Sequence, residues 1–392
     1  MTFEAIDAWN SWNDELATGN SLPPGLSRED KVFHKCGSLN IADSKELPPW
    51  ELATIRAMEE QGHIDTQLVT TNPRHVAISK SRGQNISPFE QAGKERPIVG
   101  VLDLSGGVAV ADKACRFALH KAQQLGVKVV FDAVAGAFES LEYSLTPSGS
   151  LHKVIGVRTK DKKLHRGEQV ILACGGWTPS LLPTLDGLCE ATAGSVALIK
   201  LPPKSSSPEL WDRFSPENFP TWMYRMRDGA SGGLYGFPRD DNGFIKIGYR
   251  GTKYTNPKAQ RDGKERSIPV TRWSDGEKLT QIPKQAMSTI QGFVHDFMPE
   301  LELLGIAMTR VPGFEGLMVA TGGSGHAFKY LPILGDFVVD VLEDNETRPV
   351  LKRWKWRTRG EEKPVNVLME GSIGTRALSN VPLSSHGAKC ML

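Results

Sequence analysis

The chain has no apolar run approaching the roughly 20 residues a membrane-spanning helix needs. Its N-terminus, MTFEAIDAWNSWNDEL, has neither a basic n-region nor an apolar h-region, so it does not read as a secretory signal. Cysteine is scarce. Cys36, Cys115, Cys174, Cys189 and Cys390 are scattered and odd in number, which favours reduced thiols over a disulfide framework. Neither CxxC nor HExxH spacing occurs, so no zinc site is expected and no metal ligand is assigned. An excess of one charge is also missing. With 47 basic and 45 acidic residues the formal net charge is +2, which gives no footprint for nucleic acid and no electrostatic case for a membrane surface. What remains, 39% hydrophobic and 23% charged residues, is the profile of an ordinary soluble globular protein. A length of 392 residues allows two or three domains.

The hydrophobic periods place elements along the chain. Phe3, Ile6, Ala8, Trp9, Trp12 and Leu16 fall near one face of a helix over 3–17. Residues 30–41 alternate as a strand through Val32, Phe33 and Leu39, while 47–95 are polar and give no clear period. Residues 109–125 form an amphipathic helix with Gly126 as its stop. Strands are predicted at 127–131, 151–158 and 169–174, the order of an α/β nucleotide domain. From about 190 to 310 prolines and aromatics increase, with strand-like runs at 194–200, 233–237 and 243–249 that suggest a separate sheet-based domain. A strand at 316–320, a glycine-rich turn and a helix from about 327 to 343 return to α/β, and the polar tail after 358 is expected to be loosely held. No internal repeat is visible.

Three stretches could carry chemistry. In LMVATGGSGHAFK, residues 317–329, an apolar strand runs into glycines and opens a helix. Glycines permit close backbone approach, and a helix start offers free N–H groups to an electron-rich edge. A plain tight turn would look the same. In VILACGGWTP, residues 170–179, Cys174 reads as a small buried hydrophobe rather than a nucleophile. In LYGFP and GFIKIGYR, residues 234–238 and 243–250, Lys246 stands mid-strand between Ile245 and Ile247, so its side chain faces opposite to theirs. Such a lysine usually lies on a solvated face; the functional option is a lysine held in an active-site cavity.

Taken together, VILACGGWTPSLL, LYGFPRDDNGFIKIGYRG and PGFEGLMVATGGSGHAFKYLPILGDFVVDVLE resemble, in order and spacing, the corresponding blocks of the FAD-dependent amine oxidases: monomeric sarcosine oxidase, L-pipecolate and saccharopine oxidases, and the fungal amadoriases. SGGVAVADKACRFALHKAQQLGVKV fits as well, and the resemblance covers most of 100–345. It implies an α/β (α+β) protein: a glutathione-reductase-like FAD domain, here incomplete, with a sheet-rich substrate domain like that of D-amino-acid oxidase. The implied division is 1–30, 100–190 and 311–350 for FAD, 31–99 and 191–310 for substrate, and 351–392 as a tail. The implied reaction oxidises a secondary amine of an amino-acid derivative to an imine, with O₂ as acceptor and H₂O₂ as product. By the same resemblance Lys246 matches the lysine that activates oxygen above the flavin, where a fixed cation stabilises developing superoxide. Lys329 matches the lysine that grips the substrate carboxylate. Gly325 and His326, with Lys329, match positions beside the flavin ring. Arg250 stands where sarcosine oxidase has an active-site histidine, a departure at a substrate contact. Cys174 and Trp177 lie in the block that follows the flavin-domain strand, and the backbone near Ala135 would lie by the adenine.

Two departures bear on the cofactor. The family opens with a strand, GxGxxG and a helix that seats the pyrophosphate. No such unit occurs in these residues, and the chain's first helix matches the family roughly 50–60 residues in, judged by the usual length of a βαβ unit. Relatives also insert, where Arg310 here meets Val311, a stretch with the cysteine that bonds FAD covalently; none of the five cysteines takes that place. FAD is therefore expected to be non-covalent and weakly held, and an inactive or truncated family member stands as the alternative function. An NAD(P) enzyme is disfavoured because its glycine fingerprint is missing too. The expected partners are an amino-acid-type amine and O₂, with no nucleic acid or membrane partner, and a monomer is expected. The cytoplasm is the expected location, with the peroxisome an option that the ending Ala388-Lys389-Cys390-Met391-Leu392 does not support.

Overall fold

The computed structural model describes residues 2–89, 97–145, 152–225, 232–270, 281–302, 325–343, 345, 347–353 and 369–384. It divides into two compact units. The first comprises Met1–Asp30, Ala111–Glu190 and Glu315–Met369, the second Lys31–Val110, Ala191–Phe314 and Glu370–Leu392. The second unit thus takes in the strand Val99–Asp103 and the chain's last residues.

The second unit is built on a sheet. Its order is Gln67–Val69, Val99–Asp103, Ser38–Ala42, Thr221–Tyr224, Leu234–Gly236, Phe244–Tyr254, Ala193–Lys200. Ser38–Ala42 and Thr221–Tyr224 run parallel and the other neighbours antiparallel. Period-two alternation gives the sheet two distinct faces. Leu39, Ile41, Trp222, Tyr224, Leu234, Ile245, Ile247, Tyr249, Ala197 and Ile199 point into one core. The helix Lys284–Phe297 covers that face with Ala286, Ile290, Phe293, Val294 and Phe297, spaced three and four apart. Trp222 stacks on Phe293 with ring centroids 4.5 Å apart. The opposite face carries Asn40, Met223, Tyr235 and Lys246, linked by register through Asn40↔Met223, Met223↔Tyr235 and Tyr235↔Gly248.

The stretch 47–95, which showed no period, contains the helices Pro49–Glu60 and Pro73–Ser81. Both start with proline in the first turn, where a missing N–H costs nothing, and Asn72 caps the second through the amide of Arg74. The strand expected over 30–41 is two strands, Phe33–His34 and Ser38–Ala42, separated at Gly37, whose φ is +80°. The described part of the tail is held. Ala377 is buried and bridges Thr255, and Leu383 bridges Pro283.

The first unit holds the helices Thr2–Thr18, Ala111–Gln124 and Leu331–Leu342, with a three-stranded antiparallel sheet of Phe138–Leu145, His152–Thr159 and Leu164–Arg166. Gly126, at φ +85°, ends the second helix as expected. The predicted strands 127–131 and 169–174 are not formed. A strand needs neighbours for its ladder, and among the described residues no strand pairs with either segment. The apolar side chains of 127–131 are exposed, Phe131 at 78%, whereas in 169–174 Ile171 is exposed and Val170, Leu172, Ala173 and Cys174 are half-buried. The predicted strand 316–320 lies outside the described residues.

Candidate functional site

Lys246 projects from the middle of Phe244–Tyr254 on the face opposite the core, because Ile245 and Ile247 take the core side. It is half-buried, its Nζ sits 5.2 Å from the Phe237 ring centroid, and burial pulls its ammonium below the usual lysine range. The solvated-face reading therefore does not describe this lysine. Tyr235 lies beside it on the neighbouring strand, its ring across Gly248, where an added Cβ would strike the phenol. Burial pushes the Tyr235 phenol up, and the Arg250 charge draws it part of the way back. Tyr235 also meets Phe237 edge-on at 5.7 Å. Lys246, Arg250, Tyr235 and Phe237 thus share one polar-aromatic patch. Tyr235 and Met223 were missed in the sequence; register with Lys246 across the antiparallel pair was the signal that could have found Tyr235.

The other candidates belong to the first unit. Gly325 has φ +76° with open space where a side chain would stand, and His326 and Lys329 are exposed around the turn Ala327–Tyr330. Lys329 Nζ lies 5.0 Å from the Tyr330 ring centroid. Its backbone is anchored from the first helix, where buried Trp9 donates Nε1–H to the Lys329 carbonyl at 2.8 Å. Cys174 opens the short turn Gly175–Trp177 and accepts from the Trp177 amide, and burial raises its thiol, so it stays protonated and unreactive. Trp177 is 41% exposed. Ala135 sits in an Asx turn: Asp132 Oδ1 accepts from its amide at 2.6 Å and from the Val134 amide at 2.8 Å. The residues 317–324 and 308–313 lie outside the described residues, as does Cys390. The described cysteines Cys36, Cys115, Cys174 and Cys189 are free thiols. Among the described residues no group of side chains could hold a metal, and no helix is long and apolar enough to cross a membrane.

The chain is a mixed α/β protein, with a polar sheet face in its second unit and a glycine turn that leads into a helix in its first. The family profile described as FAD dependent oxidoreductase (DAO) matches residues 3–341, and the chain belongs to that family. L-saccharopine oxidase of Schizosaccharomyces pombe is 25% identical over 375 residues, covering 90% of this chain and 79% of the relative. N-methyl-L-tryptophan oxidase of Salmonella heidelberg is 24% identical over 343 residues, covering 83% and 75%. Among solved structures, fructosyl peptide oxidase from E. terrenum superposes with a TM-score of 0.68 at 22% identity, covering 98% of this chain and 83% of that one. Amadoriase II from Aspergillus fumigatus does so with a TM-score of 0.57 at 23% identity, covering 89% and 73%. The fold is theirs, and FAD is the family's cofactor. Among the described residues the left-handed Gly325 is open, which leaves room for a flat group against its backbone and is compatible with such a cofactor. A glycine-rich strand-to-helix turn for the pyrophosphate is not found among the described residues.

Proposed function

We propose that this chain oxidises a secondary amine of an amino-acid derivative to an imine and passes the electrons to O₂. In balanced form, the substrate C–H and N–H give up two electrons and two protons as C=N forms, and O₂ takes them up as H₂O₂. FAD, when bound, supplies the two-electron chemistry, with Gly325, His326, Lys329, Cys174, Trp177 and the Ala135 backbone as the residues that would hold it. Lys246 carries the reading. It is a half-buried cation, on the face away from the core, with an aromatic neighbour at 5.2 Å and an ammonium poorly solvated by water. Such a charge stabilises the negative charge that develops on O₂ as it is reduced. Lys329 is the cation for a substrate carboxylate, a charge-assisted contact of about 1.5–3 kcal/mol, and Arg250 is a substrate contact. Tyr235 supplies a half-buried phenol beside Arg250 for orientation.

The test is a visible spectrum of the purified protein, where bound flavin absorbs, followed by anaerobic addition of L-saccharopine and N-methyl-L-tryptophan. Bleaching of the flavin by an amine, and one H₂O₂ per imine on admitting air, is the expected result. A flavin-loaded protein that no amino-acid-type amine bleaches would refute the reading.

A further inference from the structure

Residues 127–132, VKVVFD, run between Gly126, which ends the helix Ala111–Gln124, and a turn at 133–136. Four of the six are Val or Phe, types that favour a strand. Val127, Val130 and Phe131 are each more than half exposed, and Leu125 and Val134 flank them in the same state. An exposed apolar run of this kind marks an association surface. Its two edges differ. Along an extended run, successive residues aim their N–H and C=O groups to opposite edges. On the edge of Val130 and Asp132 the turn folds back. Gly136 donates its amide to the Asp132 carbonyl at 3.0 Å, and a Cβ on Gly136 would strike the Val130 carbonyl oxygen. The other edge belongs to Val129 and Phe131, whose amides and carbonyls have no hydrogen-bond partner among the described residues. The only charges are Lys128 and Asp132, placed symmetrically about Val130.

We propose that residues 127–132 form an antiparallel ladder with the same run of a second copy of this chain, about a two-fold axis at Val130. In that register Lys128 of each copy stands opposite Asp132 of the other, so both cross-strand charge pairs are of opposite sign. Val129 of each copy stands opposite Phe131 of the other, a β-branched and aromatic pair that meets on the open edge and exchanges both backbone hydrogen bonds. Other registers lose one of these matches. A parallel, in-register pairing sets Lys128 on Lys128 and Asp132 on Asp132. A shift by one residue pairs Val129 or Phe131 with a residue whose own edge is the covered one. Moving the axis to Val129 or Phe131 sets a charge against Val130. Because the turn covers the second edge, the two-fold contact closes as a dimer and does not grow into a fibre. This departs from the monomer expected of the sequence. It rests on the first unit alone and not on the amine-oxidase reading.

Sedimentation equilibrium of the full chain tests this. A contact this small makes a weak dimer, populated at about 100 µM and dissociated at about 1 µM. Lys128→Glu sets like charges opposite each other and weakens the dimer about tenfold. Lys128→Glu combined with Asp132→Asn removes the repulsion and regains part of the loss, since asparagine keeps the acceptor for the Val134 and Ala135 amides. Cross-linking fixes the register. At the non-hydrogen-bonded pair on the axis the Cα atoms lie about 4.5 Å apart, within the roughly 4.4–6.8 Å that a disulfide spans. Mild oxidation of Val130→Cys therefore gives a covalent dimer on a non-reducing gel. Leu125→Cys, the more exposed position but well off the axis, gives no more than the parent. A parent chain that stays monomeric at about 100 µM overturns the proposal and leaves the run to a different chain. So does a Val130→Cys variant that cross-links no more than Leu125→Cys, or a folded Lys128→Glu variant that dimerises like the parent.

Discussion

Replacing Glu51 by glutamine should raise the stability of the protein above neutral pH and flatten its dependence on pH. Burial holds the Glu51 carboxyl at about 7 against an ordinary 4.5. For an acid whose folded value is raised, the contribution is fully present below the unfolded value and lost as pH rises through the folded one. The window is therefore about pH 4.5 to 7, and above it the ionised, buried carboxylate penalises the fold. The full difference, about 2.5 pH units, corresponds to roughly 3 kcal/mol. Two effects reduce the gain on substitution. The helix N-terminus favours the lost anion by about 0.3–1 kcal/mol, and a glutamine amide left without partners costs about 1 kcal/mol of its own. A net stabilisation of about 1–2 kcal/mol near pH 8 is expected, which is a rise of roughly 2–8 °C in melting temperature for a unit of this size. Below about pH 4.5 the variant should be no more stable than the parent. Urea unfolding followed by tryptophan fluorescence from about pH 4 to 9 measures both slopes. If the parent loses no more stability than Glu51→Gln across that window, Glu51 is ionised or solvated in the fold and the reasoning fails.

Lys246→Met should slow reoxidation by O₂ about a hundredfold or more while leaving anaerobic flavin reduction nearly unchanged; equal slowing of both half-reactions counts against the oxygen role. Because burial lowers the Lys246 ammonium, its reoxidation rate should fall with rising pH earlier than an ordinary lysine would dictate, and the Met variant should lose that dependence. Lys329→Met should raise KM for amino-acid-type amines roughly tenfold to a hundredfold, and esters of the same amines should lose the difference. Trp9→Phe removes the hydrogen bond to the Lys329 carbonyl and should destabilise the first unit by about 1 kcal/mol, read as a lowered urea midpoint with unchanged slope. Flavin, where bound, should pass entirely into the supernatant on acid precipitation, and retention in the pellet would reveal a covalent bond.

The sheet of the second unit was legible because its signals are local. Alternation across 243–250 put Ile245, Ile247 and Tyr249 on one face and Lys246 on the other, and the structure keeps that division. Gly126 ended its helix for the backbone reason the sequence suggests. The helices Pro49–Glu60 and Pro73–Ser81 escaped notice because their inward positions are not a clean apolar stripe; one turns Glu51 inward and the other buries only Ser79. The strands at 127–131 and 169–174 failed for the opposite reason. Val127, Val129, Val130 and Phe131 are as apolar as a buried strand requires, but apolarity describes what a segment could bury and says nothing of whether a neighbour is there to pair with it.

Tyr235 shows the same limit within the candidate site. Sequence places it in LYGFP, eleven positions before Lys246, where neither period nor spacing ties the two together. The register does: Tyr235 pairs with Gly248, which shares a face with Lys246 and Arg250. Only a glycine at that position lets the phenol ring lie flat on the strand. Gly248→Ala therefore leaves every charged candidate in place yet drives the Tyr235 ring off the sheet. If Tyr235 orients the substrate, this variant should raise KM and lower kcat without changing the reaction of the reduced flavin with O₂, since Lys246 is untouched. A Gly248→Ala enzyme with parental steady-state constants would show that the half-buried phenol beside Arg250 is packing and takes no part in orienting substrate.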